Sequence, residues 1–246
     1  MEALQMVLPS KLGMKDQISL TEFCNSLEKH LGDELESIIL HGNASLSDYH
    51  PESGGKNILV LVEHIDTHVL KKVMKPVYKV NKMGFEPVFL TKERLVNSTD
   101  VFPIKYQSMK ESYIVLRGED VLENLEINHS HLRLRCEQEL RLFSLRLEKY
   151  YIENKGKQLK NMLSSMVADF IETLRVAVLL KTDNIPPWDE AINKTSKTFK
   201  IDASILHEIL KLRNDQIKLK KKEVADYYNQ FMSLVAETVK IVDHMK

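Results

Sequence analysis

The hydrophobic pattern of this chain changes character once, near residue 127, and that change constrains the fold more than any other feature. Before it, short apolar runs alternate with helical stretches; after it, only the helical spacing recurs. Continuous apolar runs of five or six residues suit strands buried on both faces. Apolar residues at i, i+3, i+4 and i+7 mark a helix with one buried stripe. A chain patterned this way is α+β: a small mixed-sheet domain over residues 1–127, followed by an all-α helical bundle over 128–246.

Within the first half, Ser19, Leu20, Thr21 and Glu22 have the order of a capping box, and Leu20, Phe23, Cys24, Leu27 and Leu31 follow at helical spacing. Strands are predicted at 37–40, 57–62, 86–90 and 101–107. Asp66 is placed to cap a helix reaching about residue 82, with a kink or break expected at Pro76 because proline lacks the backbone donor. Arg117-Gly118-Glu119-Asp120 reads as a turn. In the second half, Asn128 or Ser130 caps a long helix with Leu132, Cys136, Leu140, Phe143 and Leu147 along one side, ended by Asn154-Lys155-Gly156. A second helix is predicted over 157–181. Beyond the breaker Asp183-Asn184-Ile185-Pro186-Pro187, three more are predicted over 188–198, 202–213 and from 223 to near the end.

Composition narrows the functional classes. The chain is 43% hydrophobic and 28% charged, the balance of an ordinary globular protein. Its net charge is zero, but residues 1–128 carry 14 Lys+Arg against 19 Asp+Glu while the remainder carries 21 against 16. The basic run Lys218-Leu219-Lys220-Lys221-Lys222 has no interleaved aromatics, which argues against a nucleic-acid partner. Cys24 and Cys136 form neither a zinc spacing nor a disulfide framework, and the histidine pairs His41/His50 and His129/His131 lack ligand-type partners. The N-terminus lacks a signal-peptide pattern, and the longest strongly apolar stretch, 176–180, is too short to span a bilayer. A cytoplasmic protein with no membrane association is the expectation.

The chemistry-bearing segment is 41–62, HGNASLSDYHPESGGKNILVLV. It runs from a strand end through Gly42 into a short polar turn, then about ten residues on into a second apolar strand. Asp48-Tyr49-His50-Pro51 lies between them, and the later segments Phe102-Pro103-Ile104 and Val115-Leu116-Arg117-Gly118-Glu119 follow in order. In this order of motifs, over about residues 20–180, the chain resembles the DNA polymerase β-like nucleotidyltransferase superfamily, particularly small members that join a minimal nucleotidyltransferase domain to a helical bundle. The resemblance implies a nucleotidyltransferase-like fold for the first domain. It also implies nucleotide contacts from Gly42, Asn43 (where the superfamily has serine), Ser45, Asp48 and Lys56.

The resemblance further implies two carboxylates in an Asp-x-Asp arrangement at the start of the second strand, and a third on a later strand. Here the first two positions are Gly55 and Asn57, with Lys56 between them, and the third is Lys105. Glycine offers no ligand, and an amide oxygen is a poor exchange for a carboxylate where Mg2+ must sit beside phosphates. No metal ligand is therefore assigned and no cofactor is expected. The chain reads as a catalytically degenerate nucleotidyltransferase-fold protein, a nucleotide-binding or an interaction and regulatory module. Two alternatives stand beside it. One is an active enzyme using Mg2+ and ATP, transferring a nucleoside monophosphate to a hydroxyl of a small molecule or protein and relocating its site to Asp48. The other is a structural protein that meets a protein partner or a second copy through its bundle.

Overall fold

The computed structural model describes residues 8–9, 12–45 and 55–245. The chain divides into two compact units, Met1–Ile127 and Asn128–Lys246. The first is built on a four-stranded sheet of β1 (Leu35–His41), β2 (Lys56–Val62), β3 (Phe85–Leu90) and β4 (Tyr113–Gly118), in the spatial order β3-β2-β1-β4. β1 pairs antiparallel with β2 on one edge and β4 on the other, while β2 and β3 are parallel, so the sheet is mixed.

The parallel pair needs a crossover, supplied by α2 (Thr67–Asn81), whose N-cap Asp66 accepts a bond from the Val69 amide at 2.8 Å. With α1 (Met14–Leu31), α2 covers one face of the sheet. Leu20, Phe23, Leu27, Val69 and Val73 pack there on Ile38, Leu40, Ile58, Val60 and Val62. The other face carries Ile39, Leu59 and Leu61 against Leu95, Tyr106, Met109, Leu122 and Leu125. These come from α3 (Lys92–Asn97), α4 (Pro103–Glu111) and the segment after β4. Because β2 is sandwiched by both layers, Ile58 to Val62 are all fully buried, which is why its sequence is a continuous apolar run.

Four local expectations are corrected. Residues 101–107 are not a strand: Pro103 is the first residue of α4, where its fixed φ and missing N–H suit a helix start, and Pro103, Tyr106 and Met109 are buried at three-residue spacing. The fourth strand is β4, which also takes in Arg117 and Gly118 from the expected turn; the turn follows, with Asp120 accepting from the Leu122 and Glu123 amides. The Ser19–Glu22 pattern lies inside α1, whose N-cap is Gly13 and whose first turn is anchored by the Asp16–Lys56 ion pair. Finally, α2 continues through Pro76 without a break. Pro76 is buried and lines the groove between α1 and α2 with Phe23 and Val80, so packing offsets the lost backbone bond.

The second unit is wholly helical: α5 (His129–Glu153), α6 (Lys157–Thr182), α7 (Ala191–Phe199), α8 (Ile205–Arg213) and α9 (Lys221–Asp243). Asn128 caps α5 through the Ser130 amide. The residues that periodicity selects on α5 face inward, α6 buries nearly every side chain from Phe170 to Leu179, and Phe143, Phe170 and Phe231 stack edge-to-face with centroids 5.4 and 5.1 Å apart. The buried Tyr228 hydroxyl donates to the Leu147 carbonyl at 2.8 Å. Among the described residues, no helix is long and apolar enough to cross a membrane.

Candidate functional site at the end of the central strands

β1 ends where Gly42 turns the backbone to φ +74, a region a side chain resists, and a short 3-10 turn, Gly42–Ser45, follows. The turn is held at several points. The Gly42 amide donates to the Ser112 carbonyl at 3.0 Å, the Ser45 hydroxyl donates to the Gly42 carbonyl at 2.6 Å, and the Ser45 and Ser112 hydroxyls meet at 2.7 Å. Ala44 is fully buried beneath it. The turn is thereby fastened to the junction of α4 and β4.

Beside it lies Asn57. Its amide nitrogen is 3.2 Å from where a Cβ on Gly42 would stand, and its amide oxygen 3.2 Å from where a Cβ on Gly55 would stand. The side chain is thus cradled between two glycines. Strand register extends the site across the sheet. Asn57 pairs with His41, His41 with Tyr113, and Asn57 on its other side with Glu86. Register partners share a face, so Glu86, Asn57, His41 and Tyr113 form one polar row on the side covered by α4.

His41 is buried, and its pKa is pushed down to about 4, first by loss of solvation and then by the charge of Lys105. The imidazole is neutral at physiological pH. Lys105 is exposed on α4, close enough for its ammonium to act on the ring. The Tyr113 hydroxyl donates to Asp120 at 3.0 Å, and burial together with that carboxylate raises its pKa.

The residues named from the sequence separate into three groups. Gly42, Gly55, Asn57 and the Ser45 hydroxyl come together at the strand ends; Asn43 contributes its backbone to the turn; and Asp48 lies outside the described residues. Lys105 belongs to helix α4, not to the strand expected there, yet its charge reaches the row through His41. Lys56 is not part of the group. It projects to the opposite face, where its ammonium meets Asp16 at 2.6 Å and the Met83 carbonyl at 3.0 Å and sits 5.1 Å from the Phe85 ring centre.

Sequence reasoning missed Glu86 and Tyr113, for which only strand register supplies the signal. His41 could have been placed by alternation from Ile39. The groove between α1 and α2, about 250 Å3, contains none of these residues.

The donor set does not suit a divalent cation. Gly55 supplies nothing, Asn57 supplies a neutral amide, and Glu86 is the lone carboxylate of the row. Among the described residues, no three of His, Cys, Asp and Glu come together to hold a metal.

No protein-family model matches the chain, and no curated protein matches it in sequence. Among solved structures it is similar to spectinomycin adenyltransferase AAD(9) from Enterococcus faecialis, crystallised with ATP and spectinomycin. The two share 14% identity at a TM-score of 0.57, over 92% of this chain and 100% of that one. The likeness is one of fold: a mixed-sheet, nucleotidyltransferase-like α+β domain followed by a helical bundle.

Proposed function

We propose that this protein binds a nucleotide at the Gly42–Asn57 site without transferring it, and acts as a nucleotide-responsive binding or regulatory module. The observation that carries the reading is the Asn57 side chain: an amide fills the space between Gly42 and Gly55, at the strand position where two-metal transfer needs a carboxylate. Lys105, on α4, adds a positive charge near the row. Titration calorimetry with ATP should register binding, while an assay for pyrophosphate release with hydroxyl-bearing acceptors should stay at background. Turnover that disappears in Asp48→Ala would replace this reading with that of an active transferase.

A second reading has one observation in its favour. Glu86 stands next to Asn57 on the same face of the sheet and could supply a carboxylate. If transfer occurs, Glu86→Gln should abolish it.

The placement of the site has its own test. Gly55 does not adopt a positive φ, so an aspartate there is tolerated by the backbone. Gly55→Asp with Asn57→Asp sets two acids two residues apart at the start of β2, and Mg2+ affinity on the order of 1 mM should appear in calorimetry where the wild type has none. A folded double variant that still ignores Mg2+ would show the alignment of these positions to be wrong.

A further inference from the structure

The fold implies a divalent cation, and the residues present do not fit one. That disagreement leaves open how the site meets the charge of a nucleotide's phosphates, and the hydrogen-bond inventory restricts the answer. Two donors of the Gly42 turn are committed internally, the Gly42 amide to Ser112 and the Ser45 hydroxyl to Gly42. The neighbouring cations are committed as well: Lys56 to Asp16, Lys92 to Glu119, and Lys110 to the Glu123 and Leu125 carbonyls. Lys105 differs. It is exposed and, among the described residues, makes no hydrogen bond or ion pair, and it projects from the helix that packs on the face carrying the polar row.

We propose that the site takes the triphosphate of a nucleotide as a metal-free anion, with the Lys105 ammonium supplying the countercharge and the Asn57 amide a neutral donor. This rests on the nucleotide-binding reading above. The physical case is a comparison of charges. A carboxylate pair repels a triphosphate unless a cation bridges them, whereas an amide and an ammonium do not. Where no carboxylate pair is present and a lysine stands nearby, no bridging ion is needed to neutralise the site. Such an ion would also compete with Lys105 for the same phosphate oxygens. Two carboxylates flank the row, Glu86 beyond Asn57 from His41 and Asp120 on the Tyr113 hydroxyl at the opposite end.

The test is calorimetry of the full chain with ATP, once in EDTA and once in excess MgCl2, repeated with adenosine and with the Lys105→Ala and Lys105→Arg variants. Affinity in EDTA should equal or exceed that with Mg2+ to within about threefold. Adenosine should bind more weakly than ATP. Lys105→Ala should weaken ATP at least about tenfold in EDTA, with Lys105→Arg restoring it, since one charge-assisted contact is removed and then replaced. Lys105 is exposed, so unchanged thermal unfolding would confirm that the variants stay folded. ATP binding seen only with Mg2+ overturns the inference and leaves the nucleotide reading intact. Metal-free binding indifferent to Lys105→Ala overturns the assignment of the countercharge. Failure to bind ATP in both buffers overturns the nucleotide reading itself.

Discussion

Gly118→Ala should destabilise the α/β unit by about 3 kcal/mol or more, read as a fall in unfolding free energy by urea titration. Two costs combine. Gly118 sits at φ +78, where an alanine pays roughly 1–2 kcal/mol for the left-handed backbone. Its Cβ would also stand 1.9 Å from the Glu36 carbonyl oxygen, a distance no relaxation of a flexible side chain can relieve, because the obstacle is main chain. β1 and β4 would have to separate at the end where Ser37 donates to the Arg117 and Glu119 carbonyls, 3.1 and 2.8 Å away.

Gly84 supplies the control. It has nearly the same φ, +79, with nothing within 4 Å of a Cβ. Gly84→Ala should therefore cost only the backbone term, about 1 kcal/mol. Equal losses in the two variants would show that the close approach of β4 to β1 is not what demands glycine. A loss of 3 kcal/mol is a large share of the roughly 5–15 kcal/mol that holds a domain of this kind.

The second large effect is expected from His41. Its folded pKa of about 4 lies below the ordinary value of 6.5, so the unfolded chain takes up the proton first. The stability this lends is fully present above about pH 6.5 and is lost as the pH falls toward 4, in total about 3 kcal/mol. Carboxylates also titrate in the lower part of that range, so the measurement is a difference. Wild type and His41→Asn are unfolded by urea at pH 7 and pH 4.5, and the wild type should lose more stability between them. The groups facing the ring are Lys105 from α4 and Tyr113 from β4, its register partner. Of these, only Lys105 contributes to the shift, and Lys105→Ala should let the His41 pKa rise. Parallel pH profiles for wild type and His41→Asn would place the imidazole in water, against its burial.

These two residues show how unevenly the sequence discloses the structure. The helices α5 and α6 could be read because their periodicity persists for seven turns, long enough for one stripe to dominate any local preference. β2 could be read because burial on both faces leaves no room for a polar residue between Ile58 and Val62. Asp66 could be read because a cap is a local bond, closed within three residues. Residues 101–107 could not, because Phe-Pro-Ile suits a strand by composition. Only the three-residue spacing of Pro103, Tyr106 and Met109 toward the sheet selects a helix. The start of α1 was misplaced for a similar reason, since a capping-box pattern can equally occupy the middle of a helix.

The identities of Gly55, Asn57 and Lys105 are properties of the sequence, and so is the change of periodicity at 127, which set the order of elements. The tertiary structure alone decided which groups meet. It turned Lys56 toward Asp16 and away from the site, fitted the Asn57 amide between Gly42 and Gly55, and aligned Glu86, Asn57, His41 and Tyr113 in one row. The reason is register: which residue lies opposite which is fixed by pairing between segments far apart in the chain, and a shift of one residue would send every side chain of a strand to the other face.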